Sequence, residues 1–179
     1  MTGLTIQESG MEFGPYPAER LYPIEESDLY KSKKDGIPIA EFLLVRGTPP
    51  SKIFIVEAKA SSPRKESETD FQNYISEIQR KFTNAFNLGV SSLLGRHPAY
   101  ATELPAFFQQ LNLGTCQFRM VLVIRKAQRE WLPPLQECLN QALVPLGKTW
   151  GLGGTFVVVM TEEMAKKKHL VSDGAGSNN

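Results

Sequence analysis

The sequence is poor in the side chains from which most metal centres and covalent catalysts are built. It has two cysteines and two histidines in 179 residues. Cys116 and Cys138 allow at most one bridge, lie in stretches of core composition and lack the spacing of a zinc site, so they read as reduced structural thiols. His97 and His169 have no partner at catalytic or ligand spacing. No apolar run approaches the ~18–20 residues that cross a bilayer. Met1–Gly10 has neither the basic start nor the apolar stretch of a secretory signal. These absences predict a soluble, cytoplasmic protein with no membrane partner. A charge surplus is missing too: the formal net charge is +1. Nucleic-acid binders usually carry a basic excess, because neutralising phosphates and releasing counterions supplies much of their affinity. A local basic groove remains compatible with that total; tight binding by one unaided chain does not.

What is present is the composition of a globular domain, 41% hydrophobic and 22% charged. No internal repeat or long linker divides it. The expectation is a single mixed α/β domain over residues 1–171, with an irregular arm at 1–23 or a short edge strand at Leu4–Glu8 within it, and a disordered tail at 172–179. Ser27 can cap a short helix, Asp28–Lys34, which Asp35-Gly36 breaks. Ile37–Arg46 and Lys52–Ala60 are β-branched, apolar segments around Gly47-Thr48-Pro49-Pro50-Ser51, which predicts a hairpin. Phe71, Tyr74, Ile75, Ile78, Phe82, Ala85 and Phe86 form one stripe, predicting a helix over Asp70–Leu88 that Gly89 stops. A short helix at Leu104–Asn112, a buried strand at Gln117–Arg125, a helix at Glu130–Leu146, a strand at Thr155–Met160 and a helix capped by Thr161 complete the order. Strand, helix, strand implies a parallel pair. Gly151-Leu152-Gly153-Gly154 precedes a strand rather than opening a helix, so it is not a dinucleotide loop.

The hairpin carries the chemistry. With its turn centred on Pro49, Arg46 faces Lys52 and Glu41 faces Glu57. Residues opposed across an antiparallel pair share a sheet face, and Lys59, two beyond Glu57, shares it too. Their neighbours are apolar. Two opposed carboxylates repel, and an uncompensated buried charge costs more still. A cation between the glutamates with an ammonium alongside would compensate. The competing reading is a wet sheet surface on which Lys59 bridges the glutamates; it does not explain why such Ile/Val/Phe/Leu-rich strands would face water.

An acid on one strand followed a hairpin later by Glu-x-Lys resembles the PD-(D/E)XK nuclease superfamily, the restriction-endonuclease-like fold. The matching residues are Glu41 in IAEFLLV and Glu57-Ala58-Lys59 in IFIVEAKAS. The resemblance implies a helix, three antiparallel strands, a helix and a further strand, compatible over Ser27–Arg125. It departs from the family where Pro-Asp is Ala40-Glu41, a longer acid. It further implies that Glu41 and Glu57, with Glu25 or Glu26 from before the first helix, hold Mg²⁺ or Mn²⁺, with the Ala58 carbonyl as a backbone ligand. Glu25 is the preferred counterpart. Lys59 would orient the attacking hydroxide. Gln79 and Lys81 are possible accessory contacts to phosphate or metal, although a solvated helix face is the plainer reading for both.

Two functional readings follow. One is a metal-dependent endonuclease acting on nucleic acid, DNA first, within a bacterial defence or repair system and aided by a homodimer or partner subunit. The other is a catalytically inactive nuclease-like interaction module of a larger complex, favoured by Glu41 in place of aspartate and by the near-neutral charge.

Overall fold

The computed structural model describes residues 3–33 and 36–173. The chain opens with a hairpin, β1 (Leu4–Glu8) and β2 (Met11–Tyr16), paired antiparallel. Ser9 and Gly10 turn it, both at positive φ (52° and 76°), the backbone that a two-residue hairpin loop requires. β1 has the bounds of the expected short edge strand; beyond it the expectation of an irregular arm is corrected, since β2 pairs with it. β2 alternates, burying Met11 and Phe13, and Phe13 meets Phe42 edge-to-face at 5.4 Å between ring centroids. Gly14-Pro15 inside β2 hides it from sequence reading, because proline donates nothing to a ladder. The other edge of β2 holds the end of the chain: Phe13 bridges Val171, and the Ser172 amide and hydroxyl donate to the Glu12 and Gly14 carbonyls, each at 2.7 Å. The expected disordered tail therefore does not include Ser172, and its residues 174–179 lie outside the described residues.

The short strand β3 (Leu21–Tyr22) leads to α1 (Asp28–Lys31), where Ser27 Oγ accepts the Tyr30 amide at 3.1 Å as the expected cap. The helix ends before Lys34, which lies outside the described residues, as does Asp35 of the expected break. Strands β4 (Phe42–Arg46) and β5 (Lys52–Lys59) form the predicted hairpin in the predicted register, Arg46 opposite Lys52 and Phe42 opposite Val56. β4 starts later than expected. Pro38 has no N–H for a ladder and its carbonyl accepts from Asn84 at 2.7 Å, so the chain joins β5 only when the Glu41 amide reaches the Val56 carbonyl, 3.0 Å.

The long helix α2 (Glu68–Leu93) does not stop at Gly89. A Cβ there would stand 2.7 Å from Leu43 Cδ2, so this glycine lets the helix approach the sheet. The terminus comes at Gly95, at φ 69°, with Gly95 and Arg96 amides on the Ser92 and Ser91 carbonyls, a Schellman closure. Pro98–Glu103 is a 3₁₀ segment, and α3 (Ala106–Gln109) is the only part of the expected Leu104–Asn112 helix that forms an α-turn. β6 (Gln117–Ile124), α4 (Leu132–Trp150), β7 (Val157–Thr161) and α5 (Glu162–Lys167) follow, α4 running past Leu146 to the left-handed Gly151. Thr161 Oγ1 caps α5, accepting the Met164 amide at 3.2 Å.

The result is a mixed α/β fold. A five-stranded sheet of order β3-β4-β5-β6-β7 is antiparallel from β3 to β5 and parallel from β5 to β7. One face, with Leu43, Ile55, Leu122 and Val159, packs against α2 and α4; the other, with Phe42, Val56, Val123 and Met160, packs against the N-terminal hairpin and α5. Both cysteines are free. No helix among the described residues is long and apolar enough to cross a membrane.

The outer edge of β7 is closed by a side chain. The Gln136 carboxamide of α4 donates to the Val157 carbonyl and accepts the Val159 amide, each at 2.9 Å, as a neighbouring strand would. Gln136→Ala is therefore expected to lower unfolding free energy by about 1–2 kcal/mol, measured by urea denaturation; an unchanged midpoint would mean that the edge needs no such cover.

Candidate functional site

The hairpin register brings the predicted residues together. Glu41 and Glu57 lie on the face that α2 covers, and Glu57 is fully buried, at 0% side-chain exposure. Lys59 shares the face, its Nζ 3.5 Å from Glu57 Oε1. The wet-surface reading of these residues does not hold for Glu41 and Glu57, both buried.

α2 completes the cluster with residues that the apolar stripe concealed. Lys81 is not on a solvated face: its side chain is 16% exposed, and its ammonium donates to Glu57 Oε1 at 2.8 Å and stands 3.7 Å from Glu41 Oε1. Glu77 was not anticipated. It takes the Lys59 ammonium at 2.6 Å, a shorter contact than Lys59 makes with Glu57. Tyr74 joins the same helical face, its hydroxyl buried and without a hydrogen-bond partner. Positions 74, 77 and 81 follow helical spacing. Polar residues running along a core-facing stripe were the signal available in the sequence.

The remaining candidates divide. Glu25 lies beside the site: its amide donates to the Glu41 carbonyl at 3.4 Å, and its carboxyl helps to raise the pKa of Glu41. Glu26, next along, is exposed. Gln79 is half-buried, with no side-chain bond to the cluster. The Ala58 carbonyl, expected as a ligand, accepts the Ser9 hydroxyl at 3.1 Å.

The electrostatics are those of carboxylates in excess. Burial, then Glu25, then the Glu57 charge push the Glu41 carboxyl far above its ordinary range, with Lys81 opposing. Burial raises Glu57 to about 7, while Lys81 and Lys59 hold it from going higher. Burial alone would lower Lys81, but Glu57 and Glu41 outweigh it and the ammonium is stabilised as a cation. The Lys59 contact lowers Glu77.

Glu57 Oε2 is buried with no hydrogen-bond partner, a costly state for a carboxylate oxygen. That orphaned oxygen, opposed by a second acid, fits a hard divalent cation in kind. The fit is to two acids and not to a finished ligand shell: among the described residues no three His, Cys, Asp or Glu side chains stand together as a metal site. Lys81 supplies the local positive charge between the two glutamates.

Compared with family models, with curated proteins and with solved structures, the chain matches none. The reading of the site rests on its own geometry.

Raised carboxyl pKa values make folding pH-dependent. Below 4.5 both states hold the Glu57 proton; as pH rises the unfolded chain releases it while the folded chain keeps it until about 7. The contribution of the pair to stability therefore falls as pH rises from about 4.5 to 7, and Glu41, also raised, adds in the same direction. Thermal melts from pH 5 to 8 should show Tm declining, and Glu41→Gln should flatten that decline and raise Tm at pH 8. A rising wild-type Tm that Glu41→Gln leaves unaltered would contradict the assignment.

Proposed function

We propose that this chain is a metal-dependent nuclease of the PD-(D/E)XK kind, hydrolysing phosphodiester bonds of nucleic acid, with DNA the first substrate to try. The observation that carries the reading is the Glu57 carboxylate, fully buried, opposed by Glu41, flanked by two lysines and left with one unpartnered oxygen. A domain that needed only stability would fill this place with apolar side chains.

In this reading Glu57 and Glu41 would hold Mg²⁺ or Mn²⁺, with water in the rest of the shell; the Ala58 carbonyl, engaged by the Ser9 hydroxyl, is left out of the ligand set. Such an ion, when bound, lowers the pKa of a water and offsets charge on the phosphodiester. The chain's own groups do the rest. Lys59 presents an ammonium to the attacking oxygen and to the charge that grows in the transition state. Glu77 fixes that ammonium at 2.6 Å, and Lys81 holds Glu57 in one orientation at 2.8 Å. The near-neutral chain charge favours a second subunit or a partner in gripping substrate.

Purified protein incubated with plasmid, single-stranded DNA and RNA in Mg²⁺ or Mn²⁺ is expected to cleave at least one of them. Lys59→Ala and Glu57→Ala should each cut the rate by about two to three orders of magnitude. Cleavage that survives both substitutions belongs to another site or to a contaminant.

One observation favours a second reading, a nuclease-like interaction module that does not cut. The Lys81 ammonium sits between the two glutamates and can serve as their permanent counterion. Calorimetric titration with Mn²⁺ separates the two. The nuclease reading expects binding that Glu41→Gln weakens, and the module reading expects no heat that depends on Glu41.

A further inference from the structure

The sheet face that carries the N-terminal hairpin is covered unequally. Phe42, Val56, Ala58 and Val123 are sealed, but cover stops short of the end where β5, β6 and β7 begin. A cleft of about 310 Å³ lies there, with half-buried Phe54 and Val158 in its floor and Arg46, Lys52, Arg119 and Lys168 around it. Among the described residues no carboxylate lines it, and none lines the groove that continues over the hairpin tip past Pro49 and Pro50.

The four cations are arranged against their own repulsion. Arg46 and Lys52 are direct cross-strand partners, a like-charge pairing that destabilises a sheet. Lys81, Lys166 and Lys167 each have a carboxylate at 2.8 Å; among the described residues none of the four around the cleft has an ion-pair partner. The two guanidiniums are steadied by neutral groups that leave their charge whole. Arg46 donates to the Lys168 carbonyl at 2.9 Å, and Arg119 to the Phe118 carbonyl at 3.3 Å and the Gln117 side chain at 3.5 Å. The Arg46 guanidinium also lies 5.8 Å from the Phe54 ring centroid.

We propose that this cleft binds single-stranded nucleic acid, its phosphates held by Arg46, Lys52, Arg119 and Lys168 and a base laid against Phe54. Arg46 and Lys52 are neighbours across strands roughly 4.8 Å apart, and Arg119 flanks Phe54 on the next strand, an array suited to a backbone with a charge on every unit. Arginine forks match phosphate oxygens, and an aromatic face between cations suits any base. The surface lies on the opposite face of the sheet from Glu57, since Phe54 and Glu57 differ in parity along β5. It makes no use of the acids or of a metal, so it stands whether or not the chain cuts.

The test is fluorescence anisotropy of a labelled single-stranded oligonucleotide in EDTA over a series of salt concentrations, with duplex DNA and polyglutamate as parallel arms. Binding is expected to weaken linearly in log–log form with salt. Lys52→Gln, at an exposed position, should lower that slope by about one. Lys52→Glu combined with Arg119→Glu should weaken binding tenfold or more, and Phe54→Ala should weaken it by about fivefold or more with the slope unchanged. Circular dichroism of each variant separates lost binding from lost fold. Absence of oligonucleotide binding, or binding indifferent to Lys52 and Arg119, overturns the proposal. So does polyglutamate captured in its place, which would assign the cleft to an acidic protein. Loss of metal-dependent cleavage with this binding intact would instead count against the nuclease reading alone.

Discussion

Glu57 is a carboxylate at zero exposure on a strand with neighbours on both sides, and it shares the Lys81 ammonium with a second buried acid, Glu41, just before β4. Much of the surrounding structure answers that one placement. A buried charge is tolerated only when paired and hydrogen-bonded. The sheet itself supplies one lysine, Lys59, too far from Glu57 for a good hydrogen bond at 3.5 Å. Help has to come from above, and α2 brings it. Lys81 reaches down to both acids, while Glu77 draws Lys59 aside. The helix must lie close and in a fixed rotation for this to happen. Gly89 allows the close approach over Leu43, and the row Phe71, Ile75, Ile78, Phe82 and Phe86, all buried, fixes the rotation. The length of α2 past the expected stop is thus connected to the acids: a helix ending at Leu88 would lack the turn that presses on β4.

The hairpin register was legible because two independent signals agreed. The Gly-Thr-Pro-Pro-Ser turn fixes where the strands fold back, and the apolar pattern penalises any one-residue slip. Glu41, Glu57 and Lys59 followed from that register. What was missed has physical causes. β2 carries Gly14-Pro15, which local rules assign to a loop, yet Phe13 and Met11 find a hydrophobic face only the folded sheet provides. Gly89 looks like a cap by local rules and is a contact by tertiary ones. The apolar stripe alone places Lys81 on a solvated face, with a contact to the site as the lesser reading; a long amphipathic side chain at the stripe's border can turn inward when two acids wait there.

The resemblance to a restriction-endonuclease-like core meets a topological difference as well as agreements. Between Ser27 and Arg125 the chain runs helix, two antiparallel strands, helix, parallel strand. The third antiparallel strand is β3, two residues long and placed before α1 instead of after it. That order puts Glu25 in the connection between β3 and α1, and its amide on the Glu41 carbonyl anchors the connection to the acid-bearing strand. Glu25 reaches the site from this link, so the third acid is tied to β4 by backbone bonding and not only by the position of a helix.

The same hairpin brings like charges together twice, at opposite ends and on opposite faces. Glu41 and Glu57 meet around Lys81 on the face under α2; Arg46 opposes Lys52 on the face left open. Either pairing alone could be an accident of a stable sheet. Their consequences differ in an informative way. The acids are buried, so the fold had to bring its own cation, and the residual imbalance remains as raised carboxyl pKa values and an orphaned oxygen. The bases are at the rim, where water screens them and no acid has been recruited. Local conflicts of this kind concentrate where a sequence serves something other than its own stability. On this chain they single out one buried cluster with acids in excess and one cleft with bases in excess, joined by β4 and β5. A substitution that relieved either conflict should therefore stabilise the protein while removing a binding property.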